Sequence, residues 1–277
     1  MGASRSATRL SCRKGRCVVQ SSDFEKRMRA GECFHSLRML PAAWVVLRLD
    51  GHGFTRFTNG RFDKPFDARF HDHMIEATRG LLEKFQGVYA YTESDEISIL
   101  LPRTWDLFDR ELEKASSLSA ALASAVFTRA CGEVVQFDSR AWVGAREEDV
   151  VDYFRWRQTD ATRCALNGWC YWTLRKAGRS IAEATATLHG RSVAFKNELL
   201  HQHGINFNDV PLWQRRGSAV YWERFEKEGF DPVRGVAVKT YRRRIKVDRE
   251  LPMKKDYGQF LERFLAPCGP GTTRRTA

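Results

Sequence analysis

Acidic residues stand at two places where a predicted strand ends or turns. Asp50 ends the buried strand 44–50, and Asp95 and Glu96 stand in the turn of the predicted hairpin 88–101. Hard cations such as Mg²⁺ take oxygen ligands and are usually bound by one or two carboxylates together with substrate phosphates. Two such ions can stabilise the attacking and leaving oxygens of a phosphoryl displacement. These acids therefore predict a metal-dependent transfer site, provided that the fold brings them together.

The residues after Asp50 form a predicted sharp turn, Gly51-His52-Gly53-Phe54. Glycines let backbone N–H groups approach a triphosphate without a side chain in between, and Lys64 offers a point charge to the same phosphates. Asp-Gly after a strand and Ser-Asp-Glu at a hairpin are also ordinary turn sequences. Taken alone, the residues leave the structural and the functional interpretation open.

The predicted elements alternate in the order β-α-β-β-α-β. They are a strand at 44–50, a helix at 65–86, strands at 88–92 and 97–101, a helix at 107–130 and a strand at 134–143. In this ferredoxin-like order, the third strand pairs between the first two and runs antiparallel to both. The end of the first strand then lies beside the hairpin tip, so the acids are expected to converge.

The rest of the chain divides by composition into a core, an extension and two tails. We predict a basic extension at 1–22, a catalytic core at 23–145, a helical and β extension at 146–265, and a tail at 266–277. The extension is expected to contain helices at 147–176, 181–188, 192–202 and 256–265, with strands at 218–224 and 236–247.

Composition favours a soluble, cytoplasmic protein with a polyanionic partner. No run reaches the roughly 18 apolar residues of a spanning helix, and the seven cysteines include no Cys-x-x-Cys pair, so we expect reduced thiols. The formal net charge is +12, and the tails at 1–22 and 269–277 contribute seven of these charges. The remaining excess is moderate and compatible with RNA binding.

Several ordered motifs resemble the tRNA-histidine guanylyltransferase superfamily over about residues 23–265. The matching segments are Arg48-Leu-Asp-Gly-His-Gly-Phe-Thr-Arg-Phe57, Lys64-Pro-Phe-Asp67, Thr92-Glu-Ser-Asp-Glu-Ile-Ser98, Phe137-Asp-Ser-Arg140, Asp152-Tyr-Phe-Arg-Trp-Arg-Gln-Thr-Asp160 and Lys196-Asn-Glu198. The resemblance implies an α+β fold: a ferredoxin-like polymerase palm (βαββαβ) with additional helices and a C-terminal β/α extension.

The resemblance also implies site residues. Two Mg²⁺ ions are expected at Asp50, the Gly51 carbonyl and Asp95, with Glu96 as an adjacent catalytic acid. ATP, GTP or other nucleoside triphosphates are expected as substrates, and a homotetramer as the assembly. The implied nucleotide-binding residues are Asp50, Gly51, His52, Gly53, Phe54, Thr55, Lys64, Ser94, Asp95, Lys196 and Asn197.

One departure from the family pattern bears on specificity. Members dedicated to histidine tRNA carry His-Ile-Asn-Asn after the Trp-Arg-Gln-x-Asp segment, whereas this chain has Thr162-Arg-Cys-Ala165. It resembles the guanylyltransferase-like branch, which implies template-dependent 3′-to-5′ repair of 5′-truncated tRNA. The alternatives are a dedicated tRNA-histidine guanylyltransferase, a nucleotide cyclase, which would share the palm and its acids, and a non-catalytic RNA-binding protein.

Basic residues outside the predicted centre are candidates for phosphate contacts, although a solvated charged face explains any one of them as well. Trp156 and Trp169 are expected in the core rather than as platforms for bases. The basic candidates are Arg140, Arg155, Arg157, Arg163, Lys239, Arg242, Arg243, Arg244 and Lys246.

Overall fold

The computed structural model describes residues 22–231 and 234–266, which belong to two compact units that divide between Leu37 and Arg38. In the first unit, helix α1 (Asp23–Arg29) is capped by Ser22, whose Oγ accepts the Glu25 N–H at 3.2 Å. The second unit contains residues 38–145 of the predicted catalytic core together with the predicted extension, whereas residues 23–37 of that core belong to the first unit. The proposed boundary at residue 145 stays a prediction, and the predicted tails lie almost entirely outside the described residues.

The second unit is built on a six-stranded antiparallel sheet with the order β4-β1-β3-β2-β5-β6. Its strands are β1 (Trp44–Gly51), β2 (Tyr89–Glu93), β3 (Glu96–Leu101), β4 (Phe137–Gly144), β5 (Ser218–Asp231) and β6 (Val236–Asp248). The prediction that the third strand lies between the first two is confirmed. The hairpin tip therefore lies beside the end of β1.

Helices follow the strands along the chain. They are α2 (Phe54–Thr58), α3 (Ala68–Lys84), α4 (Leu112–Cys131), α5 (Glu147–Lys176), α6 (Ile181–Leu188), α7 (Val193–Gln202), α8 (Leu212–Arg216) and α9 (Lys254–Leu265). The short helices α2 and α8 were not expected from the sequence. The helix expected from residue 65 begins at Ala68, because the Asp67 carboxylate accepts the Arg69 N–H at 2.7 Å and caps it.

Alternation along β1 explains how both faces of the sheet are covered. Leu47 and Leu49 pack with α3 and α4 in one buried cluster, whereas Val46 packs with α5 and α9 in another. The C-terminal half of α5 forms a third cluster with α6 and α7, which includes Cys170. No helix in the described part of the chain combines the length and apolar character that a membrane crossing requires.

Candidate active site

Four carboxylates form a row across one end of the sheet. The register places Asp138 of β4 opposite Asp50 of β1, Asp50 opposite Glu96 of β3, and Glu96 opposite Glu93 of β2. Directly opposed residues in antiparallel strands lie on the same face, which here is the face that α5 covers. We call these four residues the acid row. They come from four strands, and their convergence depends on the strand order.

Asp95 stands beside this row at the tip of the β2–β3 hairpin. Its backbone carbonyl accepts the Gly51 N–H at 3.1 Å, so the hairpin tip is tied to the end of β1. Burial raises the pKa of the Asp95 carboxyl, and the charge of Asp50 raises it further, while Lys64 opposes both. Asp50 and Asp95, which are 45 positions apart in the sequence, therefore interact electrostatically as expected.

Cationic partners divide the acids into two groups. Asp138 pairs with Arg140 at 2.8 Å, and Glu93 and Glu96 lie 3.8 and 2.6 Å from Arg157. Within residues 22–231 and 234–266, neither Asp50 nor Asp95 forms an ion pair. Two mutually repelling carboxylates without a paired cation, joined through the Gly51 backbone, fit a hard divalent ion. The assignment of Asp50, Gly51 and Asp95 as its ligands stays a prediction.

Glu96 is held differently from these two residues. Arg157 donates from Nε and Nη2 to the two carboxylate oxygens of Glu96, at 2.6 Å each, and Nη2 also reaches Asp160 at 3.2 Å. Arg157 is only 6% exposed. Both Glu96 oxygens accept bonds from a guanidinium, which fixes the position of the hairpin. The catalytic role expected for Glu96 stays a prediction.

A cavity of about 1210 Å³ opens beside Asp95, between the loop after β1 and the C-terminal half of α5. It exceeds the roughly 300–1,000 Å³ of ordinary small-molecule pockets, so a nucleoside triphosphate fits within it. The predicted nucleotide-binding residues that line it are His52, Gly53, Phe54, Thr55, Lys64, Ser94 and Asp95.

Polar and aromatic groups define two walls of this cavity. Lys64 contacts the Thr58 hydroxyl, and its Nζ lies 5.8 Å from the ring centre of Trp172 on α5. Burial lowers the pKa of Lys64, and Asp95 opposes that shift. On another wall, the His71 ring stacks on Trp213 at 4.4 Å, and burial lowers the pKa of His71 to about 4. His71 is therefore neutral at pH 7, whereas Lys64 is a cation that interacts electrostatically with Asp95.

The two glycines of the loop serve different structural ends. A side chain at Gly51 would collide with the Phe54 ring, whose carbon atoms lie as close as 2.4 Å from the position of an added Cβ. Gly53 has a φ of +72° as the N-cap of α2, and an added Cβ would meet nothing within 4 Å. Gly51 is required for packing, and Gly53 for a left-handed backbone conformation that aims the loop at the cavity.

Replacing Gly53 by valine is expected to weaken nucleoside triphosphate binding by about ten-fold, because a β-branched residue in the left-handed region costs on the order of 1–3 kcal/mol. Nucleotide titration of the folded variant measures this change. The matched control is Gly178→Val, since Gly178 has a φ of +86°, equally open surroundings and a place outside the cavity lining. Equal losses of affinity in both variants would contradict a role for the Gly53 backbone.

Two of the predicted nucleotide-binding residues lie elsewhere. Lys196 and Asn197 are on α7, and neither is among the described residues that line the cavity. The Asn197 side chain donates to the Val193 carbonyl in its own helix at 3.0 Å, and the Lys196 carbonyl lies 3.3 Å from the Cys170 sulfur. Their role in nucleotide binding stays a prediction.

Thr162 joins two helices and does not line the cavity. Its Oγ1 lies 2.8 Å from the Arg215 carbonyl at the end of α8 and 3.0 Å from the Gln158 carbonyl on α5. The hydroxyl therefore has backbone acceptors on both sides, and this position presents no ring that donates to or accepts from a base.

The basic candidates on β4 and α5 are all paired with acids. Arg140 pairs with Asp138, Arg155 with Asp152, and Arg163 with Asp160, at 2.8, 3.1 and 2.5 Å. Arg157 is buried in its own network, so the interpretation of it as a solvated charge is wrong. The expectation that Trp156 belongs to the core is also wrong, because this side chain is 53% exposed. Trp169 is half-buried beside the third cluster, as expected.

Comparison with family models and curated proteins identifies close similarities. A model described as "tRNAHis guanylyltransferase" matches residues 25–154, and one described as "Thg1 C terminal domain" matches residues 148–257. A probable tRNA(His) guanylyltransferase of Dictyostelium discoideum is 34% identical over 196 residues, which cover 66% of this chain and 77% of that protein. tRNA(His) guanylyltransferase 2 of Arabidopsis thaliana is also 34% identical, but the chain spans only 36% of its length.

Solved structures show the same similarity. A bacterial tRNA(His) guanylyltransferase (Thg1)-like protein in complex with GTP has a TM-score of 0.68 and 28% identity, covering 89% of this chain and 100% of that one. Its complex with ATP has the same TM-score and 26% identity, with coverages of 88% and 100%. The enzyme from Saccharomyces cerevisiae has a TM-score of 0.62 and 27% identity over 66% of this chain and 87% of that one.

Proposed function

The chain belongs to the tRNA(His) guanylyltransferase family, a family of nucleotidyltransferases, and we propose that it adds nucleotides to the 5′ end of tRNA in the 3′-to-5′ direction under the control of a template base. The observation that carries this proposal is the pair of carboxylates Asp50 and Asp95, which form no ion pair in the described residues and of which Asp95 lines the large cavity. Relatives named for guanylyl transfer, and a structural neighbour bound to GTP and ATP, support it.

In this proposal, Asp50, Asp95 and the Gly51 carbonyl would hold two Mg²⁺ ions. Bound metal would supply charge stabilisation to the attacking and leaving oxygens. The backbone from Gly51 to Thr55 and the Lys64 ammonium would bind the triphosphate. Since Lys64 is partly desolvated, its charge acts on phosphate oxygens in a medium that screens it less than water does.

The proposed reaction has two stages. The 5′-monophosphate oxygen of the RNA attacks the α-phosphorus of ATP, which forms an adenylylated 5′ end and releases pyrophosphate. The 3′-hydroxyl of an incoming nucleoside triphosphate then attacks the RNA 5′-phosphorus, forms a phosphodiester and releases AMP. The added nucleotide becomes the new 5′ end. Residues that line the cavity, among them Lys64, would orient the triphosphate for attack.

The template-dependent form of this activity rests on Thr162. A polymerase that selects nucleotides by base pairing needs no side chain that reads one base, and the Thr162 hydroxyl lies against backbone carbonyls. We therefore expect tRNAs that lack their first 5′ nucleotide to receive whichever base complements the opposing position, C as well as G. Full-length histidine tRNA with an unpaired acceptor position should be a poor substrate.

The test is a matrix of the four nucleoside triphosphates against the four template bases in 5′-monophosphorylated, 5′-truncated tRNA. Incorporation along the Watson–Crick diagonal supports templated repair. Insertion of G whatever the template base would contradict it and favour the dedicated histidine-tRNA activity. A cyclic nucleotide formed without RNA would favour a cyclase, and RNA binding without incorporation would favour a non-catalytic binding protein.

A second surface supports tRNA as the partner. In the long β5–β6 hairpin, Arg224 lies opposite Arg243, and their guanidinium groups lie over the rings of Tyr241 and Trp222, at 4.4 and 4.9 Å from the ring centres. Neither arginine pairs with an acid in the described residues. The predicted basic run is divided by strand alternation, because Arg244 lies on the opposite face and pairs with Glu223 at 2.7 Å.

The double variant Arg224→Gln/Arg243→Gln is expected to weaken tRNA binding and to lower the slope of log K against log salt by about two, because each lost phosphate contact removes about one released counterion. Binding measured at several salt concentrations gives this slope. The matched control is Arg79→Gln/Arg146→Gln, which removes the same charge from exposed residues already paired with Glu76 and Asp149. An unchanged slope in the first variant would assign the hairpin arginines to a solvated face.

The homotetramer and the cytoplasmic location also remain proposals.

A further inference from the structure

Trp156 lies on the N-terminal half of α5, on the side of the sheet that carries the acid row. More than half of its surface is exposed, at 53%. Exposure of so large an apolar ring beside charged residues has an energetic cost, and an aromatic group in this setting is typical of a binding surface.

The ring is held in one orientation by its neighbours. The Arg157 guanidinium lies 4.6 Å from its centre and is itself fixed by the bidentate pair with Glu96, and Tyr153 meets the ring edge-on at 5.8 Å. The Tyr153 hydroxyl is bonded in turn to Ser98 of β3 at 2.9 Å. Since Arg157 is buried, the outer part of the indole is the part that faces solvent. A ring fixed before binding loses little conformational entropy when a partner stacks on it.

The surroundings favour a nucleic acid as that partner. Arg48 of β1 lies 5.7 Å from the Trp156 ring centre and two positions before Asp50 on the same face. The register places Arg140, which also pairs with Asp138, opposite Arg48. Aromatic rings interleaved with arginines are the arrangement that binds unpaired bases together with their phosphates.

The acid row separates this surface from the nucleotide cavity. Tyr171 and Trp172 line the cavity from the same helix, and Trp156 precedes Tyr171 by 15 residues, which is ~22 Å along a helix. Asp95 lines the cavity, whereas Glu96 contacts Arg157 next to Trp156. An RNA end bound on the Trp156 side would meet a nucleotide from the cavity side at Asp50 and Asp95.

We propose that Trp156 stacks on the unpaired template base of the RNA, the base that selects the incoming nucleotide. The inference rests on the proposed function, in which that base is single-stranded before addition. Because the indole would cover one face of the template base, the edge that forms hydrogen bonds with the incoming base and the opposite face would both stay accessible. The indole would therefore hold the template base open while the incoming nucleotide pairs with it, and would cap the new base pair once it forms.

The test uses a 5′-monophosphorylated RNA hairpin that lacks its first 5′ nucleotide and carries the fluorescent adenine analogue 2-aminopurine at the unpaired template position. The wild-type protein is expected to quench this fluorescence on binding. Trp156→Ala should bind the RNA about ten-fold more weakly and lose most of the quenching at saturation, whereas Trp156→Phe should keep its affinity within about three-fold, because stacking of one base contributes on the order of 1–3 kcal/mol.

Two comparisons make the result specific. The nucleoside triphosphate Kd should be unchanged in Trp156→Ala. The wild-type preference for truncated RNA over the same hairpin with the template base already paired should disappear in that variant. Equal quenching and RNA affinity in the wild type and Trp156→Ala would overturn the proposal. A smaller oligomer of Trp156→Ala in light scattering, with unchanged RNA affinity, would also overturn it, because it would indicate that Trp156 lies in a self-association surface. Quenching that depends on Trp156 without any nucleotide incorporation would support the platform and contradict the proposed function.

Discussion

Replacing Asp50 or Asp95 by asparagine is expected to reduce nucleotide addition by about a thousand-fold or more while the protein stays folded. Each change removes one of two carboxylates that have no cationic partner in the described structure, and a thousand-fold loss corresponds to about 4 kcal/mol of transition-state stabilisation. Stability should not fall, because burial and the repulsion between Asp50 and Asp95 both raise the pKa of Asp95, and a neutral amide relieves both costs.

The matched control is Asp138→Asn, which changes a carboxylate in the same row that already pairs with Arg140. Nucleotide incorporation, thermal unfolding and Mn²⁺ binding followed by electron paramagnetic resonance are compared for the three variants. The Asp50 and Asp95 variants should bind fewer or weaker Mn²⁺ ions, whereas the control should bind them as the wild type does. Near-normal turnover in a folded Asp50 or Asp95 variant would refute the assignment.

Replacing Arg157 by methionine is expected to lower the free energy of unfolding by about 3–5 kcal/mol, because removing one member of a buried ion pair leaves its partners charged and desolvated. Arg157 is the shared partner of Glu93, Glu96 and Asp160. Burial, together with the nearby charge of Glu96, already raises the pKa of Glu93 to about 8. Without the guanidinium, which opposes that shift, the pKa of Glu93 would rise further, and Glu96 and Asp160 would lose their shared cation.

Equilibrium unfolding in urea measures the loss, and a double-mutant cycle identifies its origin. Arg157→Met/Glu96→Gln should be more stable than Arg157→Met alone, because the neutral amide removes one of the stranded charges. Arg157→Lys should recover part of the stability without the bidentate geometry. A loss below about 1 kcal/mol in the single variant would show that water or another group replaces the arginine.

The strand order and the acid pair were predictable from the sequence because both follow from short-range pattern. Alternation and turn residues locate β1 and the β2–β3 hairpin, and the β-α-β-β order then places Asp50 beside Asp95. The helix from Glu147 to Lys176 was likewise predicted with its observed bounds. Residues that act through backbone position, such as Gly53, are visible in the sequence for the same reason.

The roles of Arg157 and Trp156 were not predictable in this way. An arginine on a helix normally lies in solvent, and only the carboxylates gathered from β2 and β3 make its burial favourable. The two halves of α5 pack against different clusters, so its apolar residues lie on several sides of the helix. Periodicity therefore does not show which of its tryptophans is buried. The sequence predicts a strand at 218–224, whereas β5 extends to Asp231, because its outer half is charged and pairs with β6 alone among the described strands.

The helix α5 is one uninterrupted element of 30 residues. Its Arg157 binds Glu96 of the β2–β3 hairpin, and its Trp172 lines the cavity. Successive residues of a helix are turned by about 100°. The 15-residue separation of Arg157 and Trp172 therefore fixes the distance between their side chains along the helix and the angle between them around the helix axis. A single insertion or deletion between them would rotate Trp172 about a quarter turn away from Lys64, although neither residue would be substituted. We conclude that the length of this segment constrains the site as strongly as the identity of its residues.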